Sequence, residues 1–217
     1  MATNYERELR NILAGHEKSV DGCTRSCSDH EKAQMRTILE RPFLVVRAAG
    51  SGMDGSGDIV ALRGDVSFPI EVKSGKVKKM YFSGRTKDQL NAMIKEAERS
   101  NLIPLYAHRL KGIRGDSWRI FRVKTTNIEP SLRKFEHSIP PLPTTRNGTP
   151  FIDWDLGMPL NEFIAILCSE HGLEPLRLRT SQSRSVQVEP SKQRFESMFE
   201  ELQRRRSPQQ SVLKNME

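Results

Sequence analysis

Long apolar runs are missing from this chain of 217 residues. No stretch approaches the roughly 18 apolar residues that a membrane-spanning helix needs. The opening MATNYEREL also has none of the apolar core of a signal peptide. We therefore expect no membrane partner and a cytoplasmic location.

Cysteine is scarce as well, because the chain contains only Cys23, Cys27 and Cys168. So few thiols argue against a disulfide framework in such a compartment. On a helix, Cys23, Cys27 and His30 would share one face and could bind zinc with His16 as a fourth ligand. The alternative is a helical insertion whose thiols pack as small apolar groups, and the absence of close-set cysteine pairs favours it.

Acidic residues are in deficit, with 27 Asp and Glu against 35 Lys and Arg, which gives a formal net charge of +8. An excess of positive charge favours a polyanionic partner, because binding releases condensed counterions. The length is sufficient for one sizeable core with appendages. Composition therefore permits a nucleic-acid partner without identifying one.

The segment RAAGSGMDGSGDIVALRGDVSFPIEVK, residues 47–73, contains a set of residues suited to metal-assisted hydrolysis. Asp58 opens one apolar strand, and Glu71 and Lys73 close the next. Side chains alternate along a strand, so Glu71 and Lys73 project on one face with Val72 on the other. Carboxylate oxygens are the ligands that Mg²⁺ prefers, and the bound ion lowers the pKa of a water while bracing a phosphate oxygen. An isolated Glu-x-Lys is more often an exposed strand pair, so its context decides.

That context consists of short motifs in a fixed order along residues 1 to about 125. They are ERELRNIL (6–13), VVRAAGS (45–51), DIVAL (58–62), IEVK (70–73), YFSGR (81–85), DQLNAMIKEAE (88–98), IPLYAHRLK (103–111) and SWRIFRV (117–123). In these motifs the chain resembles the archaeal Holliday junction resolvases of the PD-(D/E)xK nuclease superfamily. The ordered set is much more specific than any one of its parts.

The resemblance implies an α/β fold of the restriction endonuclease-like kind, with a mixed central β-sheet flanked by helices. It also implies an endonuclease that depends on Mg²⁺, for which Mn²⁺ would substitute. The implied catalytic residues are Asp58, Glu71, Lys73, Glu6 and Ser51. The implied metal ligands are Glu6, Asp58, Glu71 and the carbonyl of Val72.

The chain departs from the family pattern in two places. An insertion of about twenty residues separates ERELRNIL from the strand at Phe43, so two glutamates compete for the position on the first helix. Glu6 matches the family's local sequence, whereas Glu31 matches the usual spacing. We favour Glu6, because a run of identical residues is harder to obtain by chance than a spacing. Gly57 also replaces the usual proline before the strand aspartate.

Basic residues flank the site and are candidates for phosphate contacts, which position DNA without reading its bases. They are Arg47, Lys76, Lys78, Lys79 and Arg85. The expected substrate is a four-way junction, and its twofold symmetry calls for two active sites and thus a homodimer. Flap, mismatch or restriction-like cutting on the same core remains an alternative. A catalytically idle DNA-binding or scaffolding module is disfavoured, because Asp58, Glu71 and Lys73 are all present.

Hydrophobic periodicity and turn residues predict the helices and strands and divide the chain into three regions. The predicted helices are 5–14, 29–40 with Asp29 as N-cap, 86–100 and a short one from about Leu160; the predicted strands are 43–48, 58–63, 66–73, 103–110 and 117–124. The predicted regions are a nuclease core at 1–128 with a helical insertion at about 15–41, a proline-rich connector and annex at 129–175, and a basic Ser/Gln-rich tail at 176–217. Residues 191–206 of the tail could form an amphipathic helix, which is either a marginal solvent-exposed helix or one that binds a partner protein or DNA.

Overall fold

The computed structural model describes residues 4–48, 55–64 and 66–169. The predicted tail at 176–217, with its amphipathic helix, lies outside these residues. The helices are α1 (Asn4–Leu13), α2 (Glu17–Thr24), α3 (Asp29–Glu40), α4 (Arg85–Ser100), α5 (Arg133–Ser138) and α6 (Leu160–Cys168). The strands are β1 (Leu44–Arg47), β2 (Ile59–Arg63), β3 (Val66–Gly75), β4 (Lys79–Tyr81), β5 (Leu105–Leu110), β6 (Trp118–Arg122), β7 (Phe151–Asp153) and β8 (Met158–Pro159).

Six strands form one mixed sheet in the order β1-β2-β3-β5-β6-β8. β3 and β5 are parallel, while the other neighbouring pairs are antiparallel. The connection between β3 and β5 contains α4, as a parallel crossover requires. β4 and β7 form a separate two-stranded sheet. The predicted fold class, a mixed central sheet flanked by helices, is confirmed.

The two faces of β3 are covered by different helices. Val72 belongs to the main hydrophobic cluster, which includes buried residues of α1, α3 and α6. Glu71 lies beside Tyr106 in the parallel β3–β5 register, so both side chains point to the opposite face. There Tyr106 packs with residues of α4 in a second cluster. The predicted alternation therefore places Glu71 and Lys73 between the sheet and α4.

Residues 129–169 contribute to the same core as the sheet. Phe68 of β3 makes edge-on contacts with Phe135 of α5 and Phe163 of α6, with ring centroids 5.7 and 6.0 Å apart. The helix predicted from Leu160 is confirmed as α6, which packs against α3. The predicted regional boundaries remain predictions, but the segment after residue 129 has no separate core of its own in the described part of the chain.

The insertion is helical, as predicted, and forms α2 and α3. The prediction of Asp29 as the N-cap of α3 is wrong, because Ser28 occupies that position and forms a reciprocal capping box with Glu31. The zinc alternative gains no support: Cys27 is buried beyond the end of α2, while His30 is exposed on α3. None of the helices in the described residues is long and apolar enough to cross a membrane.

The packing of α6 predicts that Phe163→Ala destabilises the whole fold. Phe163 is fully buried against Phe68, so truncation leaves a cavity and should lower the free energy of unfolding by about 3–5 kcal/mol. Glu162→Ala, on the exposed side of the same helix, should change it by less than about 0.5 kcal/mol. Urea unfolding measures both. Equal small losses would show that α6 is a dispensable annex.

Candidate active site

Asp58 is fixed to the neighbouring strand by two hydrogen bonds at the entry to β2. Its backbone N–H donates to the Ile70 carbonyl at 3.0 Å. Its side-chain Oδ2 accepts the backbone N–H of Val72 at 2.8 Å. The second bond holds the carboxylate against β3 at the residue that follows Glu71.

Glu71 and Lys73 form a partly buried ion pair on β3. Lys73 Nζ donates to Glu71 Oε1 at 2.7 Å and to Gln89 Oε1 of α4 at 3.0 Å. Glu71 is only 4% exposed, so its charge depends on this amine for compensation. The amine is consequently held between the sheet and the helix that covers it.

Glu6 reaches the same region from α1. It lies on the buried face of that helix and is 8% exposed. Its Oε2 atom is 3.8 Å from Nε of Arg47 at the end of β1. Burial, then the negative charge of Glu71 and then that of Glu6, raises the pKa of Asp58 to about 6, against the lowering effects of the Val72 N–H and Lys73. The structure therefore brings Glu6, Asp58 and Glu71 into electrostatic contact.

Glu31, the other candidate, is used elsewhere. Its carboxylate accepts the backbone N–H and the hydroxyl of Ser28, both at 2.7 Å, and these bonds lower its pKa. The charged groups that act on it are Arg119 and His30, and none of the residues of the site is among them. Its place in the structure is the N-terminal cap of α3.

The donor set of the site fits a hard divalent cation by its chemistry. Three carboxylates supply oxygen ligands without sulfur or nitrogen, which suits Mg²⁺ or Mn²⁺, and their mutual repulsion would be relieved by added positive charge. They are not yet arranged as ligands, since no three His, Cys, Asp or Glu side chains in the described residues form a ready metal group. Lys73 and Val72 already occupy oxygens of Glu71 and Asp58. Each carboxylate has a second oxygen beyond the one used in these bonds, so the present contacts can remain when a cation binds.

Gly57 explains why the family's usual proline is absent before Asp58. Its φ is +74°, which a proline ring with φ near −65° cannot adopt. A Cβ atom at this position would also lie 2.7 Å from the carbonyl oxygen of Ile70. This carbonyl is the acceptor of the Asp58 N–H. Glycine therefore permits the close approach of strands that fixes Asp58.

The predicted DNA-contacting lysines lie on the β3–β4 connection and β4. Lys76 is exposed. Lys78 pairs with Asp155 at 2.9 Å, and Lys79 pairs with Asp153 at 3.3 Å. Their charges are thus partly neutralised by the segment around β7, although both lysines remain more than half exposed.

The other predicted DNA-contacting residues are two arginines, and they lie away from the β3–β4 connection. Arg47 is paired with Glu6 beside the site, with about a third of its side chain exposed. Arg85 is exposed at the first turn of α4. Ser51, predicted to support the site, lies outside the described residues.

Three residues near the site were not singled out from the sequence. Gln89 holds Lys73, as described. Tyr106 and His108 are the parallel-register partners of Glu71 and Lys73, and both are fully buried. Burial lowers the pKa of His108 to about 4, and burial with the charges of Glu71 and Asp58 raises that of Tyr106. Tyr106 and His108 are two residues apart in IPLYAHRLK, as Glu71 and Lys73 are in IEVK. A parallel pairing of these two strands would therefore have predicted that Tyr106 and His108 lie beside the site.

Comparisons with known proteins identify a family for this chain. A family model described as archaeal Holliday junction resolvase (Hjc) matches residues 22–135, a range that contains Asp58, Glu71, Lys73 and Glu31 but begins after Glu6. A solved structure of Hjc, a Holliday junction resolvase from the archaeal hyperthermophile Archaeoglobus fulgidus, is 24% identical; the match covers 56% of this chain and 81% of that one, with a TM-score of 0.38. A search of curated proteins gives no match.

The position of Glu6 predicts which glutamate matters for chemistry. If the chain cuts DNA with a bound metal ion, Glu6→Gln should lower the cleavage rate by about 10²-fold or more, because it removes one of the clustered carboxylates. Glu31→Gln should keep the rate and lower stability by about 1 kcal/mol through loss of the capping box. Single-turnover cleavage and urea unfolding measure the two effects. The reverse pattern would transfer the role to α3.

The conformation of Gly57 predicts a stability loss that depends on its surroundings. Gly57→Ala combines a left-handed φ with a backbone clash and should cost about 3 kcal/mol of unfolding free energy. Gly64→Ala is the matched control, because its φ of +57° is similar but nothing lies within 4 Å of the added Cβ. The control should cost only about 1 kcal/mol. Equal losses in chemical denaturation would contradict the close approach at Ile70.

Proposed function

The chain belongs to the archaeal Holliday junction resolvase family, and from that premise we propose that it is a Mg²⁺-dependent endonuclease for branched DNA. The family is one of nucleases that act on DNA. Metal dependence is supported by Glu6, Asp58 and Glu71, which lie near enough for the charges of the two glutamates to act on Asp58, with the Lys73 amine bonded to Glu71. This arrangement supports hydrolysis of a phosphodiester, as part of DNA recombination and repair.

The proposed metal ligands are the carboxylates of Glu6, Asp58 and Glu71, with the carbonyl of Val72 as a further ligand. A bound Mg²⁺ ion would lower the pKa of a water ligand and stabilise negative charge on the phosphate oxygens. The protein's part is to fix the carboxylates, which the bond from Val72 N–H to Asp58 supports. Burial of Glu71 keeps bulk water from competing for its oxygens.

Lys73 is proposed to hold the attacking water or a phosphate oxygen. An ammonium group has three donors, and two of them are used by Glu71 and Gln89. The third donor would bind the attacking water or a phosphate oxygen, so that the water attacks in line with the leaving oxygen. Gln89 is proposed as a positioning residue, because its amide oxygen restrains the amine.

The proposed substrate is a four-way junction, bound by a homodimer. Two strands must be cut symmetrically, and a twofold dimer supplies two equivalent sites. Arg47, Lys76 and Arg85 are exposed basic groups that flank the site in sequence, and they are proposed to contact phosphates. Incubation of junction, flap and linear duplex with Mg²⁺ tests this preference. Faster cutting of flaps or duplex would replace the junction by another substrate.

The chemistry predicts that Asp58→Asn or Glu71→Gln abolishes cutting but not binding. Loss of a metal ligand should lower the rate by about 10³-fold or more, while DNA affinity measured without metal stays within about threefold, since the phosphate contacts remain. Asp29→Asn, a change of the same type at an exposed carboxylate of α3, should behave as wild type. A variant of Asp58 or Glu71 that cuts at the wild-type rate would show that the site is elsewhere.

A further inference from the structure

A cavity of about 610 Å³ opens between α1, α2 and the turn that joins β5 to β6. It is separate from the Glu71–Lys73 pair, which lies on the face of the sheet covered by α4. Four arginines line it: Arg7 of α1, Arg25 after α2, Arg109 of β5 and Arg114 of the turn. The only acidic residue among its lining residues is Glu8.

The positive charge of this arginine cavity is largely uncompensated. Glu8 is already engaged, because its carboxylate lies 3.1 Å from Arg109 Nε and accepts the Trp118 indole N–H at 3.2 Å. The side chains of Arg7, Arg25 and Arg114 form no hydrogen bond or ion pair within the described residues. Three guanidinium groups therefore face a concave surface, where like charges reinforce one another and attract an anion.

The neutral lining is suited to the same kind of ligand. Asn4, Asn11, Ser19 and Ser26 place amide and hydroxyl groups around the arginines. Such groups donate hydrogen bonds to phosphate oxygens, and guanidinium groups bind phosphate with paired donors. We propose that the arginine cavity is a phosphate-binding site, and, resting on the proposed function, that its phosphates belong to a DNA arm outside the catalytic centre.

The backbone of DNA fits better than a free nucleotide. The lining contains no Phe, Tyr or Trp, so it has no platform on which a base can stack. Its large apolar side chain is Ile113, which is about a third exposed. Recognition by charge and hydrogen bonds alone is typical of contacts that follow the phosphates of a duplex.

Helix α1 connects the arginine cavity to the catalytic centre. Glu6 belongs to the carboxylate cluster, and the next residue, Arg7, lines the cavity. Consecutive helical residues point about 100° apart, so one turn of α1 directs Glu6 to the carboxylate cluster and Arg7 to the arginine cavity. A DNA strand that leaves the catalytic centre along this helix would meet the arginines.

The helical insertion provides one wall of the site. Ser19, Gly22 and Cys23 of α2, and Arg25 and Ser26 after it, all line the arginine cavity. In the facing turn, a Cβ atom added at Gly115 would be in van der Waals contact with the Ser26 carbonyl. The insertion therefore contributes directly to the proposed phosphate contact.

The test compares two double variants of the full chain that lose the same charge. Arg25→Ala with Arg114→Ala removes two cavity arginines, and Arg133→Ala with Arg146→Ala removes two exposed arginines elsewhere. Binding to a four-way junction is measured in EDTA over a range of KCl concentrations. We expect the cavity variant to bind about tenfold more weakly and to lose about 2 from the log–log salt slope, because each lost phosphate contact removes about 0.9. The control should keep the wild-type slope.

Lysine variants and a free nucleotide distinguish a phosphate site for DNA from a loss of folding or a nucleotide site. Arg25→Lys with Arg114→Lys should restore most of the slope, and urea unfolding identifies a variant that has lost its fold. Equal slopes for the cavity and control variants, both folded, would overturn the proposal. Saturable binding of deoxyadenosine monophosphate that only the cavity variant loses, with an unchanged DNA slope, would overturn the DNA assignment in favour of a nucleotide. Because EDTA prevents cleavage, failure to cut junctions with Mg²⁺ would count against the proposed function alone.

Discussion

Three carboxylates share one partly buried region, and their mutual repulsion is the constraint on which the site depends. Burial and the charges of Glu71 and Glu6 raise the pKa of Asp58 to about 6, so the cluster is destabilised whenever all three groups are ionised. Lys73, Arg47 and the Val72 N–H offset this repulsion. Natural folds retain such clusters where the charge is needed, which is consistent with a site that binds a cation.

The architecture around β3 follows from the need to hold those groups. The antiparallel neighbour β2 delivers Asp58, through a glycine that lets the backbones approach. The parallel neighbour β5 requires a crossover, and the crossover helix α4 supplies Gln89 to the lysine. One strand with an antiparallel partner on one side and a parallel partner on the other therefore brings together residues from three elements.

Helix α1 contributes to two surfaces with different charge. Its buried face adds Glu6 to the carboxylates, and the adjacent face presents Arg7 to the arginine cavity. A negative charge that we propose binds a cation and a positive charge that we propose binds phosphate are thus adjacent on one helix. This arrangement suits a protein that must hold a polyanion while directing a metal ion to one of its phosphates.

The sequence by itself determined five of the eight strands in the described residues, namely β1, β2, β3, β5 and β6, and the helices α1, α3, α4 and α6. It also determined the common face of Glu71 and Lys73, because hydrophobic periodicity is a local property. It also gave the resemblance that predicts Asp58, Glu71 and Lys73 as a set. It did not decide between Glu6 and Glu31, and it missed Gln89, Tyr106 and the ion pairs of Lys78 and Lys79. These depend on which elements become neighbours across the sheet, and the pairing of distant segments is a property of packing that local patterns do not contain. Only the tertiary structure could turn α1 toward Asp58, leave Glu31 as a helix cap, and bring the inserted α2 against the β5–β6 turn.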